Sequence, residues 1–319
     1  MRRYLLIDGL NFFIRSFTVN PTMDMNGEHV GGTIGFLIGL NKLVREQRPT
    51  HIIVVWDGEG GSLKRRSIFK DYKAGRKPKV NRQYSFEDPN QQMESFRRQL
   101  EMLDKYLEFL PLTSIRIKGV EADDVIAYLW GFLLDKNDQK VIVSSDKDFY
   151  QLLDTKTVIY VPTKKKYFSS SDLRETLDIL PENYILMKAL MGDKSDNIDG
   201  IRGIGPKSVT KLFPFLSERF ACTNDIFDHA EENKDANSKY NRILADREIV
   251  MNNVRLMQLS SPLMDPMAAK SIRYKLDEST NSYRPTDMKL QLFKDQLQLK
   301  PTDFFIMFKE QYFRARSKS

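Results

Sequence analysis

Three short apolar runs in this sequence each lead into an aspartate. The runs are residues 4–7, 52–56 and 141–143, and they are followed by Asp8, by Asp57 and, after two serines, by Asp146. Short, largely β-branched runs bounded by turn residues are typical of the buried strands of a parallel sheet. Because helical patterns separate these runs, we predict an α/β fold with a mainly parallel central sheet flanked by helices.

The remaining segments predict how the chain is organised around this sheet. Helical periodicity covers residues 31–47, 91–110 and 121–136, and a triple lysine at 164–166 suggests an exposed hairpin. From residue 181 the pattern becomes mainly helical, with a polar stretch at 220–240 that we expect to be rich in loops. We therefore predict a catalytic α/β domain over residues 1–180 and a mainly helical region over residues 181–319.

Acidic residues form five groups, which we expect at or near strand ends or helix starts. Single acidic residues at helix starts are common caps, but five groups together indicate a shared site. Carboxylates packed closely repel one another, and an all-oxygen ligand set favours Mg²⁺ or Mn²⁺. We therefore predict two-metal phosphodiester hydrolysis. The nine candidate metal ligands are Asp8, Asp57, Glu121, Asp123, Asp124, Asp146, Asp148, Asp193 and Asp196.

A strongly basic segment lies directly after Asp57. Residues 62–82 contain nine lysines and arginines against Asp71 alone, a net charge of +8 in a chain whose net charge is +7. Such a local excess of positive charge is typical of a phosphate-binding surface. Phe69 and Tyr72 lie between these cations, where they are candidates for stacking on bases. We expect a nucleic-acid partner.

A glycine-rich turn follows the fifth acidic group. It contains Gly203 and Gly205 before Pro206 and Lys207, and backbone amides at such a helix start bind phosphates without reading sequence. The single cysteine, Cys222, fits a reducing compartment. Because no apolar run is long enough to span a membrane, we expect no membrane partner and a cytoplasmic location, in the host cytoplasm if the source is viral.

Taken together, these stretches resemble the 5′-nuclease family, which includes flap endonucleases, the 5′→3′ exonuclease domain of bacterial DNA polymerase I and phage 5′-exonucleases, some called RNase H. The resemblance covers residues 3–215 and suggests a free-standing viral or bacterial member. It implies a PIN-like core, a basic helical arch at about 60–98 and a helix-hairpin-helix at about 185–215. The motifs in order are LLIDGLN, VVWDG, FKDYKAGRKP, GVEADD, SSDKDF, GDKSDNI and GIRGIGPKS.

The resemblance also implies roles for individual residues. Asp8, Asp57, Glu121, Asp123 and Asp124 would form the tighter metal site, and the other four carboxylates the second. Lys73 and Arg76 would meet the scissile phosphate, which makes them catalytic candidates with Asp57 and Glu121. The expected nucleic-acid-binding residues are Lys64, Arg65, Arg66, Lys70, Tyr72, Lys73, Arg76, Lys77, Gly203, Gly205, Lys207 and Ser208.

The expected activity is hydrolysis near the 5′ end of a branched or nicked duplex by a monomeric enzyme in DNA replication or repair. Two Mg²⁺ ions, replaceable by Mn²⁺, would serve as cofactors, with a K⁺ ion at the helix-hairpin-helix. Substrates would carry a 5′ flap, a nick or a free 5′ end, and RNA–DNA hybrids are included. The alternatives are a ribonuclease of the PIN type and a non-catalytic DNA-binding replication accessory.

Overall fold

A computed structural model describes residues 1–75, 84–86, 88–278, 282–297, 299 and 301–316, without the side chains of residues 301–304. Its centre is a six-stranded sheet in the order β3-β2-β1-β4-β5-β6. The first five strands in the sequence run parallel, and only β6 is antiparallel to its neighbour β5 among the strands of this sheet. The prediction of a mainly parallel sheet is confirmed. The strands are β1 Arg3–Asp8, β2 His51–Trp56, β3 Thr113–Arg116, β4 Gln139–Val143, β5 Thr157–Val161 and β6 Lys166–Phe168.

Helices cover both faces of the sheet, which explains the continuous apolar character of its strands. Leu6 of β1 packs into the core on one face, whereas Leu5 and Ile7 pack into the core on the other. All three side chains are fully buried. The described part of residues 1–180 contains the helices α1 Gly9–Val19, α2 Gly31–Gln47, α3 Leu63–Ile68, α4 Pro89–Leu107, α5 Ala122–Tyr128 and α6 Ser170–Leu177.

The second half of the described chain is almost entirely helical. Its helices are α7 Tyr184–Met191, α8 Pro206–Leu212, α9 Thr223–Glu232, α10 Ser238–Ala245, α11 Arg247–Met257, α12 Pro266–Asp277, α13 Pro285–Lys294 and α14 Pro301–Arg316. Two short strands, β7 Gly192–Asp193 and β8 Ile198–Asp199, form a hairpin between α7 and α8. Among these described residues, no helix is long and apolar enough to cross a membrane.

Most of the local predictions are confirmed. Helix α2 occupies residues 31–47 as expected, and β5 and β6 form the hairpin around the triple lysine. The expectation of a loop-rich segment at 220–240 is wrong, because α9 and α10 fill most of it. Both helices are amphipathic, and their apolar sides, which include Ile226 and Ile243, are buried in the core.

The last two helices return to the α/β core. Met288 and Leu292 of α13 and Phe308 of α14 belong to the same apolar cluster as α1, α2 and α4. The Gln311 side chain donates a hydrogen bond to the Thr50 carbonyl just before β2, at 2.9 Å. The C-terminal end of the chain therefore stabilises the sheet face opposite to α5.

Candidate active site

The strand order reverses direction between β1 and β4, and the acidic groups gather at the carboxyl edge of the sheet around that point. In open α/β sheets this is where ligands bind. Asp8 ends β1 and caps α1, accepting a hydrogen bond from the Asn11 amide at 3.1 Å. Its second oxygen accepts one from the Ser144 hydroxyl at the end of β4, at 3.0 Å. Asp8 therefore lies at the junction of the two central strands.

Asp57, after β2, positions the acidic residues that follow β3. Its carboxylate accepts a hydrogen bond from the Ala122 amide at 2.9 Å, which fixes the start of α5. One turn of this helix then presents Glu121, Asp123 and Asp124 together. Among the described residues, ligand oxygens of these three side chains lie within 4.8 Å of one another. Such a cluster of carboxylate oxygens is suited to a hard divalent cation.

Two of the remaining four carboxylates, Asp148 and Asp193, bind a buried lysine. Asp146 caps a 3₁₀ turn at Lys147–Leu152 by accepting from the Asp148 amide at 2.9 Å. Lys188 of α7 donates to Asp148 and, at 2.5 Å, to Asp193. Sequence reasoning missed Lys188, although a lone lysine in the apolar run YILMKALM was a signal that it needs a buried partner.

The carboxylates repel one another electrostatically, and their pKa values show it. Burial and the neighbouring Asp57 charge raise the pKa of Asp8 to about 8. Burial and Asp146 raise the pKa of Asp148 to about 7. Burial also raises the pKa of Asp146, and the charges of Asp123 and Asp196 add to that effect. This coupling connects the acidic groups on β1, α5 and the β7–β8 hairpin, and bound cations would relieve the repulsion.

Arg65 of α3 provides part of the compensating charge. Only 2% of the residue is exposed, and its guanidinium donates to Glu121 at 2.6 Å and to Asp124 at 2.5 Å. Its Nε donates to the Leu256 carbonyl at 2.8 Å. The expectation that Arg65 binds nucleic acid is wrong, because its guanidinium is buried and bonded to this acidic group. Burial would raise the pKa of Asp123, but Arg65 and Lys73 hold it below its usual range.

Tyr72 and Lys73 lie in a turn that packs against the same group. The Tyr72 hydroxyl and the Lys73 ammonium donate to the two oxygens of Glu121, at 3.1 and 2.5 Å. The Lys73 amide donates to the Asp196 carbonyl at 2.9 Å, so the turn connects two acidic groups. Because Tyr72 is only 2% exposed, the expectation that it stacks on a base is wrong. Its ring instead lies under the Lys73 ammonium, 4.9 Å from it.

The other basic residues near this turn face outward. Arg66 and Lys70 are exposed, and Lys64 is half-buried beside Asp265, with 3.2 Å between the charged atoms. Two further candidates, Arg76 and Lys77, lie outside the described residues.

The glycine-rich turn joins the β7–β8 hairpin to α8. Helices α7 and α8 therefore flank a hairpin, as expected for a helix-hairpin-helix. Gly203 has φ +81°, a left-handed conformation that favours glycine. Gly205 precedes α8, with Pro206 in its first turn, and Lys207 is exposed there next to the half-buried Ser208.

Family comparison agrees with this architecture. Residues 3–178 match the 5′-3′ exonuclease N-terminal resolvase-like domain, and residues 179–280 match the 5′-3′ exonuclease C-terminal SAM fold. The chain belongs to the 5′-3′ exonuclease family. This membership agrees with the resemblance noted from the sequence and places the protein among nucleases.

Similar proteins include a flap endonuclease and a bacterial DNA polymerase I. A flap endonuclease Xni from Shewanella sp. (strain MR-4) is 34% identical over 232 residues, which are 71% of this chain and 81% of that protein. DNA polymerase I of Bacillus subtilis (strain 168) is 32% identical over 216 residues, 66% of this chain but only 23% of the polymerase.

Solved structures share the fold of this 5′-3′ exonuclease family member. The T5 5′-exonuclease with bound zinc has a TM-score of 0.68 at 22% identity, covering 87% of this chain and all of that one. A complex of the bacteriophage T5 flap endonuclease with DNA and metal ions has a TM-score of 0.66 at 21% identity, covering 93% of this chain and all of that one.

Proposed function

We propose that this chain is a divalent-metal-dependent 5′-nuclease that hydrolyses phosphodiester bonds near the 5′ end of flapped or nicked duplexes. The observation that carries the proposal is the convergence of coupled carboxylates at the carboxyl edge of the sheet, with Lys73 among them. Relatives named flap endonuclease support the substrate class. The products would carry a 5′-phosphate and a 3′-hydroxyl.

The carboxylates would hold two Mg²⁺ ions, with Mn²⁺ as a substitute. We assign Asp8, Asp57, Glu121, Asp123 and Asp124 to one ion and Asp146, Asp148, Asp193 and Asp196 to the other. When bound, the ions would activate water as the nucleophile and stabilise the leaving oxygen. The all-oxygen donor set and the raised pKa values of Asp8 and Asp148 support the fit, because both indicate negative charge in need of a cation.

Lys73 would position and stabilise the scissile phosphate. Its ammonium already lies at the acidic group through Glu121, so a phosphate bound between the carboxylates and this turn would meet it. An ammonium fixed at the point where charge develops stabilises the transition state more than the bound substrate. Arg76, three residues later in the sequence, would act with Lys73.

The helix-hairpin-helix would bind the duplex backbone without reading sequence. Gly203, Gly205, Lys207 and Ser208 carry this role, because amides and an exposed ammonium at a helix start bind phosphate oxygens. Arg66 and Lys70 would contact the strand near the active site, and Lys64 would do so after leaving Asp265. We further propose that the enzyme acts as a monomer, accepts RNA–DNA hybrids and binds K⁺ at the helix-hairpin-helix.

Cleavage of an end-labelled 5′-flap duplex tests this proposal. The full chain with Mg²⁺ should release short 5′-labelled products, and excess chelator should abolish the reaction. Asp57→Asn and Glu121→Gln should each reduce the rate by at least about a hundredfold. A PIN-type ribonuclease would instead cleave single-stranded RNA, and a non-catalytic accessory would bind the flap without cutting it. Cleavage that persists after complete chelation would contradict the metal-dependent mechanism.

A further inference from the structure

Helix α10 lies against the glycine-rich turn and contributes two cations to its surface. The Lys239 ammonium donates to the Ser208 hydroxyl at 2.7 Å. One turn later, the Arg242 guanidinium donates to the Arg202 carbonyl at 3.2 Å. Both contacts join residues more than 30 positions apart. The turn and α10 therefore form one surface, although the sequence motif ends near residue 212.

Buried contacts attach α10 to the end of α8. The buried Tyr240 side chain donates to the Leu212 carbonyl at the end of α8, at 2.9 Å, and Ile243 is fully buried beside it. A Cβ atom on Gly203 would lie 3.2 Å from the Arg242 guanidinium. Gly203 thus provides both the left-handed backbone of the turn and the space for Arg242. These contacts hold Lys239 and Arg242 against the segment that carries Lys207.

The charged residues of the turn, α8 and α10 are all basic, whereas Glu175 and Asp178 line the groove at the start of α8. Residues 200–212 contain Arg202, Lys207 and Lys211 and no acidic residue. Helix α10 contains Lys239 and Arg242, again without an acidic residue, whereas α9 next to it contains four. Lys239 and Arg242 each use one donor on the turn and retain others, because lysine has three N–H donors and arginine five. Arg242 is exposed and Lys239 half-buried.

We propose that α10 belongs to the duplex-binding surface, with Lys239 and Arg242 binding backbone phosphates next to those bound at the start of α8. This inference rests on the proposed function and extends it to a helix outside the glycine-rich motif. Residues one helical turn apart lie about 5–6 Å from each other at Cβ, so the two cations present adjacent donors along one face. The ligand is the sugar-phosphate backbone of a duplex, which is bound without sequence preference.

Salt-dependent binding distinguishes phosphate contact from a merely structural role. Log affinity falls linearly with log salt, and each phosphate contact that is lost makes this dependence less steep by about 0.9. We would measure binding of a fluorescein-labelled 5′-flap duplex to the full chain, in chelator, at salt concentrations from about 50 to 200 mM. Lys239→Ala and Arg242→Ala should each weaken binding about three- to tenfold and make the salt dependence less steep by about 0.9.

Charge-preserving and matched control variants complete the experiment. Lys239→Arg should keep the wild-type slope, because it keeps the positive charge. Lys234→Ala removes the same charge five residues earlier, where the lysine pairs with Glu231 at 2.7 Å, and should leave the slope unchanged. Equal slopes for Lys239→Ala, Arg242→Ala and Lys234→Ala, with unchanged melting temperatures, would overturn the inference.

The outcome for the proposed function is separate from that for α10. If Lys207→Ala lowers the slope and the wild type cleaves the flap, but the α10 variants bind like wild type, only the inference about α10 fails. If the wild type neither binds nor cleaves the flap duplex, the proposed function fails and the inference with it.

Discussion

Arg65 donates hydrogen bonds from two guanidinium nitrogens to the two carboxylate oxygens of Asp124, at 2.5 and 3.2 Å. The same guanidinium reaches Glu121, and one oxygen of Asp124 also accepts from the Leu263 amide at 2.8 Å. This buried pair therefore joins α3, α5 and the segment after α11. It places a permanent positive charge among the proposed metal ligands.

Arg65→Met should destabilise the protein strongly. The substitution leaves the buried Asp124 carboxylate without its ion-pair partner and removes one of the two cations bound to Glu121. Breaking a buried ion pair in this way costs about 3–5 kcal/mol. Arg65→Lys should recover only part of the loss, because an ammonium lacks the planar fork that binds both oxygens. Chemical denaturation measures the free energy of unfolding. The exposed neighbour provides the control, since Arg66→Met should change stability by less than about 0.5 kcal/mol. Equal effects at both positions would contradict the structural role of Arg65.

Lys73→Ala should slow cleavage far more than it weakens duplex binding. Removal of one preorganised donor to a developing charge typically reduces the rate by about a hundredfold or more. Single-turnover cleavage gives the rate, and titration of the flap duplex in chelator gives the affinity. Lys70→Ala, three residues earlier and exposed, removes the same charge outside the acidic group and should affect mainly affinity. Wild-type turnover by Lys73→Ala would exclude the proposed role.

In chelator, the free energy of unfolding should fall as pH rises from about 6.5 to 8. Folded Asp8 has a pKa of about 8 and folded Asp148 about 7, whereas unfolded aspartates lose their protons near pH 4. The folded state therefore binds more protons in this window, so stability decreases with pH. Burial lowers the pKa values of His29 and His51, so their opposite effect acts mainly below about pH 6.5 and fades above it.

Two further measurements test this pH dependence. Asp8→Asn should flatten it, because Asp8 has the larger pKa shift of the two aspartates. Mg²⁺ should stabilise the protein more at pH 8 than at pH 6.5, since a metal binds the deprotonated carboxylates of the folded state. A stability that rises with pH across this window in chelator would contradict the raised pKa values.

Local sequence patterns were sufficient to predict the strand ends and therefore the acidic edge. Asp8 and Asp57 follow apolar runs, and parallel strands bring such positions to one edge whatever the details of packing. The burial of Arg65 was not predictable in this way. It depends on the Leu256 carbonyl, 191 positions away, and an arginine among exposed lysines has the same local pattern whether it faces water or the core.

Composition also could not separate α10 from a loop. Polar residues dominate the 220–240 stretch, but the apolar Tyr240 and Ile243 are enough to hold α10 once α8 provides a surface. Short amphipathic helices gain most of their stability from such tertiary contacts rather than from intrinsic propensity. A sequence motif therefore indicates the start of the proposed duplex-binding surface but not its extent.

Gly58→Ala should disrupt the acidic site by displacing the loop that carries Glu121. A Cβ atom at Gly58 would lie 1.7 Å from the Ile117 carbonyl oxygen, and the Gly58 amide already donates to the Val120 carbonyl at 3.0 Å. The chain after β3 would have to move away from Asp57, with a loss of stability of about 1–3 kcal/mol. Gly131→Ala is the matched control, because a Cβ there meets nothing within 4 Å and favours the helical backbone.

Denaturation and calorimetric titration with Mn²⁺ measure the two consequences of Gly58→Ala. Asp57 fixes the start of α5 through the Ala122 amide, so a displaced loop should weaken Mn²⁺ binding as well as folding. Gly131→Ala should retain wild-type Mn²⁺ affinity and gain up to about 1 kcal/mol of stability. Unchanged Mn²⁺ binding by a folded Gly58→Ala variant would show that Asp57 and Glu121 do not depend on this close approach for their geometry.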